Sequence, residues 1–537
     1  MNTENKTQRP LVRLLLPTLC LYIALAGFLF LPLFMNLTTH ILADDIFIQP
    51  GQSDAYNFLW TYWWFQKALS LGKNLFICDY IFPPTGENLF FHTHILLPSV
   101  VTMPLGKLVG TVTAYNVTIL GLLILAALLY FSFAYGTFFF SFATSFALGA
   151  FFGFSPYFIF KAHCHPNLIG GLFWGGALAV FIHACHHDSF TWKKGLLFAL
   201  FYWATFWTSF LEFFMVNVVL TLLFVFYRVK RTWKNSFTSR LAFIAPLLPG
   251  LASFLVFSFA APFQEVNIPL IKPISLLQFV HLPRLCLFYF AESQPIFEYW
   301  GTYIPFSILI LAYWGYRNPR RTVSLIPLVI LFLLTIDCLG IPSSILRMLP
   351  LGQGFRVMAR FFPFFLFWLL LLAGFGLDRL FQIADGRARR RRLFLIGLLA
   401  AIEFFPFWLR PSPVKQLAIP PQTLARISDS AVTAIIPKRY YFNHLDAYQI
   451  SLQKPVLKLS YLARPSKSSL VRMQQFPALY QTRFLPQNPE AMRQFISLGG
   501  KYLLFEDKER VPAALQDYPR LFETAQEVLL EVPISSR

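Results

Sequence analysis

An all-α polytopic membrane protein, carrying a small α/β domain at its C-terminal end, is the fold class this sequence predicts, and three observations carry it. Of 537 residues, 56% are hydrophobic and 13% charged, with a mean hydropathy of +0.56; a soluble domain is about 25% charged. Apolar runs long enough to cross a bilayer recur as far as residue 410. Basic residues gather in the connections between alternate runs, as the positive-inside rule requires.

A hydrocarbon core about 30 Å thick takes roughly 20 apolar residues as helix. That length marks spans near 12–36, 114–134, 137–156, 168–184, 195–209, 212–227, 241–261, 301–316, 322–341, 361–382 and 392–410, about eleven in all. The first run, from Leu11 to Leu37, exceeds a signal-peptide core and lacks a small-x-small cleavage site, so it reads as a retained helix. Lys6, Arg9 and Arg13 precede it; further clusters are His186, His187, Lys193 and Lys194, then "YRVKRTWKNSFTSR", "YRNPRR" and "ADGRARRRR". These connections are expected on the inner side, which puts the N-terminus inside and the tail outside.

The net charge of +20 is explained by these clusters, so nucleic-acid binding is excluded as a reading. Cys20, Cys78, Cys164, Cys185, Cys286 and Cys338 lie far apart without ligand spacing, and suggest neither a zinc site nor a disulfide framework. No fixed-period repeat and no inverted halves are visible, which disfavours solenoid and secondary-transporter architectures. The expected domains are 1–410, a membrane domain whose first outer loop is 37–94, and 411–537, where charge rises and "KPVLKLSYL" and "GKYLLFED" read as strands.

The outer face collects the candidates for chemistry. In "LADDIFIQPGQSDAYNFLWTYWW", Asp54 opens a short helix whose Trp60, Tyr62, Trp63, Trp64 and Phe65 suit the headgroup level. Asp54 or Ser53 is there either as a helix N-cap or, for Asp54, as a general base toward a hydroxyl. Asp44 and Asp45 are alternative bases or metal ligands, or simply solvated acids. His92 and His94 follow a turn at Pro83, Pro84 and Gly86, and independent polar contacts suit them better than a metal pair. The helix should break near Pro156, leaving His163 and His165 on the outer surface to reach a phosphate or to be solvated. Glu212, alone in an apolar run, is placed at a cavity or a membrane-edge turn, because a carboxylate in a span costs roughly 2.5–3.5 kcal/mol on insertion scales. Asp337 is expected to snorkel and Asp378 to pair with Arg379. Arg356 and Arg360, four residues apart on a face where cations are depleted, suit one phosphate, or else lipid headgroups. Lys161, Lys272 and Arg284 are weaker candidates for the same role.

In order along the chain, "SDAYNFLWTYWW", "DYIFPPTGENLFFHT", "AYNVTILGLL", "FGFSPYF" with "HCHPNL", "FEYWGTYIP" and "GFRVMARFFPFF" resemble the bacterial glycosyltransferases of the GT-C superfamily, which use lipid-linked sugar donors. The tail is similar to those of uncharacterised members. The resemblance implies a first-loop acid as catalytic base, Asp54 or the Asp44–Asp45 pair. It also implies donor-phosphate binding by Arg356 and Arg360, with His163 and His165 as further candidates, and a cavity bordered by Glu212, His92 and Glu298. Cys164 stands where glycine is expected, and no acidic metal set like that of oligosaccharyl transferases is present.

A transferase facing outward from a bacterial inner membrane has no nucleotide-sugar pool, so a polyprenyl-phosphate sugar is the expected donor, with a glycan, lipid or protein as acceptor and membrane lipids as surroundings. A phosphate leaving group needs little protonation, so one base and a cation suffice. No cofactor is required by this inventory, and a divalent ion stays open. The rival readings are a flippase of lipid-linked glycans and a non-catalytic envelope assembly protein.

Overall fold

A computed structural model of the chain describes residues 10–43, 53–81, 86–89, 94–229, 302–318, 324–337, 357–383, 385–404, 411–414, 420–427, 432–436, 445–453, 455–457 and 485–532, with isolated positions at 475 and between 243 and 345. The helices that matter below are α1 (Leu11–Leu29), α2 (Ala55–Ser70), α3 (Thr111–Phe138), α4 (Phe142–Gly153), α5 (Pro156–Cys164), α6 (Gly171–His186), α7 (Trp192–Thr208), α8 (Phe210–Val229), α9 (Phe306–Tyr316), α10 (Ile326–Ile336), α11 (Phe362–Phe381), α12 (Gly386–Phe404), α13 (Leu445–Leu452) and α14 (Pro489–Ser497). The strands are β1 (His40–Leu42), β2 (Pro411–Pro413), β3 (Val432–Ile436), β4 (Val456–Leu457), β5 (Gly500–Phe505), β6 (Arg520–Glu523) and β7 (Val528–Glu531). They form two compact units: Met1–Asn36 with Asn116–Arg410, and Leu37–Tyr115 with Pro411–Arg537.

The first unit is a helical assembly. Among the described residues, six segments are long and apolar enough to cross a membrane: Leu11–Leu29, Thr111–Phe138, Phe142–Cys164, Pro166–His186, Phe210–Tyr227 and Met358–Phe381. The other expected spans differ. The span 195–209 falls in α7, with 17 residues, and 301–316 and 322–341 appear as the shorter apolar helices α9 and α10. The span 392–410 belongs to α12, whose N-terminal half carries the arginines, while 241–261 lies almost wholly outside the described residues. Helix α11 is the centre of the unit: 94% of its apolar window is buried, against 22% for α1. Tyr130 of α3 donates to the Phe367 carbonyl at 2.7 Å, and Trp174 of α6 lies 4.3 Å from Phe364, centroid to centroid. Helices α9 and α11 touch backbone to backbone, because a Cβ on Gly315 or Gly376 would strike the carbonyl of Leu372 or Leu311; small residues at such a crossing let apolar helices approach closely. Outward-facing Leu16, Leu200 and Phe394 are all more than 60% exposed, the kind of surface that needs lipid as its solvent.

The polar residues within the spans have structural reasons. Asp378 does not pair with Arg379: its carboxylate accepts from the Ser141 backbone N–H and the Thr144 hydroxyl, both at 3.3 Å, at the start of α4. Arg379 donates to the Arg317 carbonyl. Asp337 ends α10 in the left-handed conformation (φ 49°) and is 4% exposed, so it is buried rather than snorkelling.

The second unit joins the first loop to the tail. Strands β1 and β2 pair antiparallel, His40 opposite Pro413. The tail forms a five-stranded sheet in the order β4-β3-β5-β7-β6, parallel across β4, β3 and β5 and antiparallel beyond. Its faces alternate by the period of two. Ile435, Tyr502 and Leu504 pack with Tyr448 and Leu452 of α13. Ala434, Leu503 and Phe505 pack with Ala491 and Phe495 of α14 on the other face. Helix α14 starts where Asn488 accepts from the Glu490 and Ala491 N–H groups, with Pro489 in the first turn.

Candidate functional site

Asp54 stands at the entrance to α2 in the second unit. Its carboxylate makes no capping hydrogen bond, and the side chain is exposed. Ser53, fully buried, takes the capping role through its Oγ, which accepts the Ala55 N–H at 3.2 Å. Capping therefore does not account for the carboxylate. The helix itself is held rigidly. Trp60, Trp63, Trp64 and Phe65 are buried in a cluster with Cys78, Ile81, Leu89 and Leu96, and Tyr62 bonds the Thr102 hydroxyl at 2.7 Å. The rings expected at a headgroup surface thus form one of the buried clusters of the unit. The helix ends before Gly72, whose φ of 64° lets the chain turn back so that Lys73 N–H reaches the Ala68 carbonyl. Asp44, Asp45 and His92 lie outside the described residues; His94 is buried, 5.4 Å edge-on from Phe65.

In the first unit, α5 begins at Ser155, whose hydroxyl accepts the Phe158 N–H, and Pro156 occupies its first turn. The helix does break there, as expected, but the proline starts a new helix that carries the histidines inward, and this corrects their placement on the outer surface. His163 is fully buried, with Nδ1 donating to the Ile159 carbonyl at 2.7 Å; a carbonyl can only accept, so that nitrogen carries the proton. His165 is half-buried at the end of the helix. Lys161 is 1% exposed, and its ammonium lies 6.0 Å from the Tyr157 ring. The same ring lies 5.8 Å from Phe362, two residues after Arg360. Arg360 sits in the 3-10 turn Met358–Phe361 and is 9% exposed. The Tyr157–Phe362 contact therefore joins α5 to the start of α11, with Lys161 beside one ring and Arg360 two residues before the other. Arg356, Lys272, Arg284 and Glu298 lie outside the described residues.

Glu212 is 1% exposed and belongs to the helix start of α8. Ser209 Oγ accepts its N–H at 3.3 Å, and its Oε1 accepts the Gly170 N–H at 3.1 Å, so it ties α8 to the turn that follows His165. A Cβ at Gly170 would run into its Oε2, which explains glycine there. Sequence reasoning missed Glu403. It is 3% exposed and accepts from Tyr303 OH at 2.7 Å, the Phe306 and Ser307 N–H groups at 2.6 and 3.0 Å, and Ser307 Oγ at 2.6 Å. The same cost argument that singles out Glu212 applies to this lone acid in "AAIEFF". Among the described residues, no group of three or more His, Cys, Asp or Glu side chains is arranged to hold a metal ion.

No family model and no curated protein matches the chain. Among solved structures, the arabinofuranosyltransferase AftD from Mycobacteria superposes with a TM-score of 0.55 at 15% identity, covering 92% of this chain and 35% of that one. The chain thus spans about a third of AftD's length. The apo form of ArnT from Cupriavidus metallidurans gives 0.44 at 12% identity, covering 95% of this chain and 97% of its own. The archaeal oligosaccharyltransferase AglB from Archaeoglobus fulgidus gives 0.44 at 11%, covering 92% and 69%. The likeness of fold rests on AftD: over 92% of its length this chain is folded like part of that arabinofuranosyltransferase.

Proposed function

We propose, from this shared fold, that the chain is an integral-membrane glycosyltransferase that moves a sugar from a polyprenyl-phosphate donor to an envelope acceptor on the outer face of a bacterial inner membrane. In this reading α7, α9, α10 and α12 are spans too, which with the expected span 241–261 makes about eleven, and the tail lies outside. Asp54 is the base. It takes the proton of the acceptor hydroxyl; that oxygen attacks the anomeric carbon; the bond from that carbon to the phosphate oxygen breaks, and its electron pair leaves with the lipid phosphate. Attack from the side opposite the leaving group inverts the anomeric centre. Arg360, with Arg356, Lys161 and His165 as supporting groups, neutralises the phosphate as charge develops. Asp44 and Asp45 remain alternative bases, and Glu212, His92 and Glu298 border the donor cavity.

The observation that carries the Asp54 assignment is local. An exposed carboxylate relieved of capping by Ser53 stands at the head of a helix whose aromatic face is packed solid, so its position is fixed. Fixed placement of a base is what general-base catalysis requires. Wild-type protein in vesicles, supplied with a radiolabelled polyprenyl-phosphate sugar and an acceptor extract, should produce labelled acceptor and free lipid phosphate together. Donor crossing the bilayer intact with no product would sink this reading in favour of a flippase.

A further inference from the structure

We propose that the second unit carries a binding site for a single anionic sugar ring at the C-terminal ends of β3 and β5, with Arg510 recognising the charge. Topology points there first. The next described element after β3, helix α13, lies on one face of the sheet, where its Tyr448 and Leu452 pack on Ile435 and Tyr502. The chain leaving β5 turns to the opposite face, where Val511 and Leu515 pack on Ile436, Leu503 and Phe505. Adjacent parallel strands whose following connections part to opposite faces open a crevice beyond their carboxyl ends, and open α/β sheets bind ligands in that crevice.

A cavity of about 280 Å³ occupies the place. Ile436 and Phe505, the last residues of the two strands, form part of its wall with Pro486 and Pro512, while Gln487 and Arg510 supply its polar side. Its floor is braced, since the Glu506 N–H donates to the Ile436 carbonyl at 3.0 Å beyond the last ladder pair. The volume lies at the lower edge of the range of small-molecule sites, about 300–1,000 Å³, so it suits one ring and not a nucleotide. Apolar walls facing two side chains that donate hydrogen bonds match a pyranose, which has an apolar C–H face and a rim of hydroxyls. Arg510 adds preference for an acid on that rim. Its Nε is 3.8 Å from the Asp507 carboxylate, beyond hydrogen-bonding distance, so the guanidinium fork is not committed to that neighbour.

The site is distinct from the transfer chemistry and is readable without turnover. Full-length protein in nanodiscs is titrated with glucuronate, glucose and inorganic phosphate by saturation-transfer NMR. Glucuronate should bind about tenfold or more tighter than either of the others, the worth of one charge-assisted hydrogen bond. Arg510→Ala should erase that preference and Arg510→Lys keep part of it; Arg510 is 44% exposed, so neither change disturbs a core. Lys508→Ala, a neighbouring surface cation, should leave binding unchanged. Phosphate binding as well as glucuronate, equal losses in the Arg510 and Lys508 variants, or no saturation of any probe would overturn the proposal. Glucuronate binding in a protein with no transferase activity would sink the function proposed above and leave this site standing.

Discussion

The indole N–H of Trp60, in the first loop, donates to the side-chain oxygen of Gln449, in the tail, at 2.7 Å, and the Gln449 amide nitrogen donates in turn to the Tyr80 carbonyl at 2.7 Å. Trp60 and Gln449 are 0% and 3% exposed. Two segments some 390 residues apart are thus joined by a buried polar link, supported by the β1–β2 pairing and the bond from Tyr56 OH to the Pro413 carbonyl.

Gln449→Ala should therefore destabilise the first loop, not only the tail. It removes the acceptor of the buried Trp60 N–H, at about 1–3 kcal/mol, and a donor to the half-buried Tyr80 carbonyl. Limited proteolysis read by mass spectrometry should show faster cutting within 37–115. Deleting 411–537 should go further and abolish transfer altogether, since it removes the partner of β1 and the cover of α2. A deletion protein with an intact first loop would contradict this.

Glu403→Ala should cost about 3 kcal/mol or more. It strands two backbone donors at the start of α9, where helix N–H groups have no partner of their own, together with two hydroxyls. Glu403→Gln keeps one acceptor and should cost less. Thermal unfolding in detergent would separate the two.

Gly376→Ala should lower the melting temperature although alanine is the better helix former. The added Cβ meets backbone of α9, including Gly315 N at 2.9 Å, and backbone cannot rotate away. The expected cost is about 1–3 kcal/mol. No change would mean that the two helices are further apart than described.

The tail sheet should lose stability only in acid. Hydrogen bonds from Arg493 to Glu490, and from Arg520 and Lys508 to Glu523, hold both carboxyls below their usual 4.5. Their contribution is complete above that value and is lost as pH falls through the depressed folded-state values. Both pairs are at the surface, so the effect is small and screened by salt. Glu490→Gln with Glu523→Gln should flatten the acid limb of a denaturation profile while leaving stability between pH 6 and 8 nearly unchanged.

Much of the architecture was legible because its signals are local. Apolar length gave the long helices, alternation gave "GKYLLF" as a strand, and Ser155-Pro156 marked a boundary. What the sequence hid depends on contacts between distant segments. The aromatic run of α2 has the composition of an interfacial helix, but its rings are buried because Cys78, Leu89 and Ile450 come to cover them. His163 follows a proline, and only the packing of α5 shows that the proline begins a helix and keeps the imidazole inside. Glu403 was missed, since its role appears only where Tyr303 and the start of α9 meet it with four hydrogen bonds. Asp54 was legible as a candidate, while the fact that Ser53 performs the capping needed coordinates.

The central claim is tested most directly by measuring transfer from a polyprenyl-phosphate sugar by Asp54→Asn protein. Loss of a general base should lower the rate about 10²- to 10⁴-fold. Donor binding and the proteolytic pattern of the first loop should stay as in the wild type, because no cap and no core contact is removed. Transfer at the wild-type rate by Asp54→Asn would contradict the account.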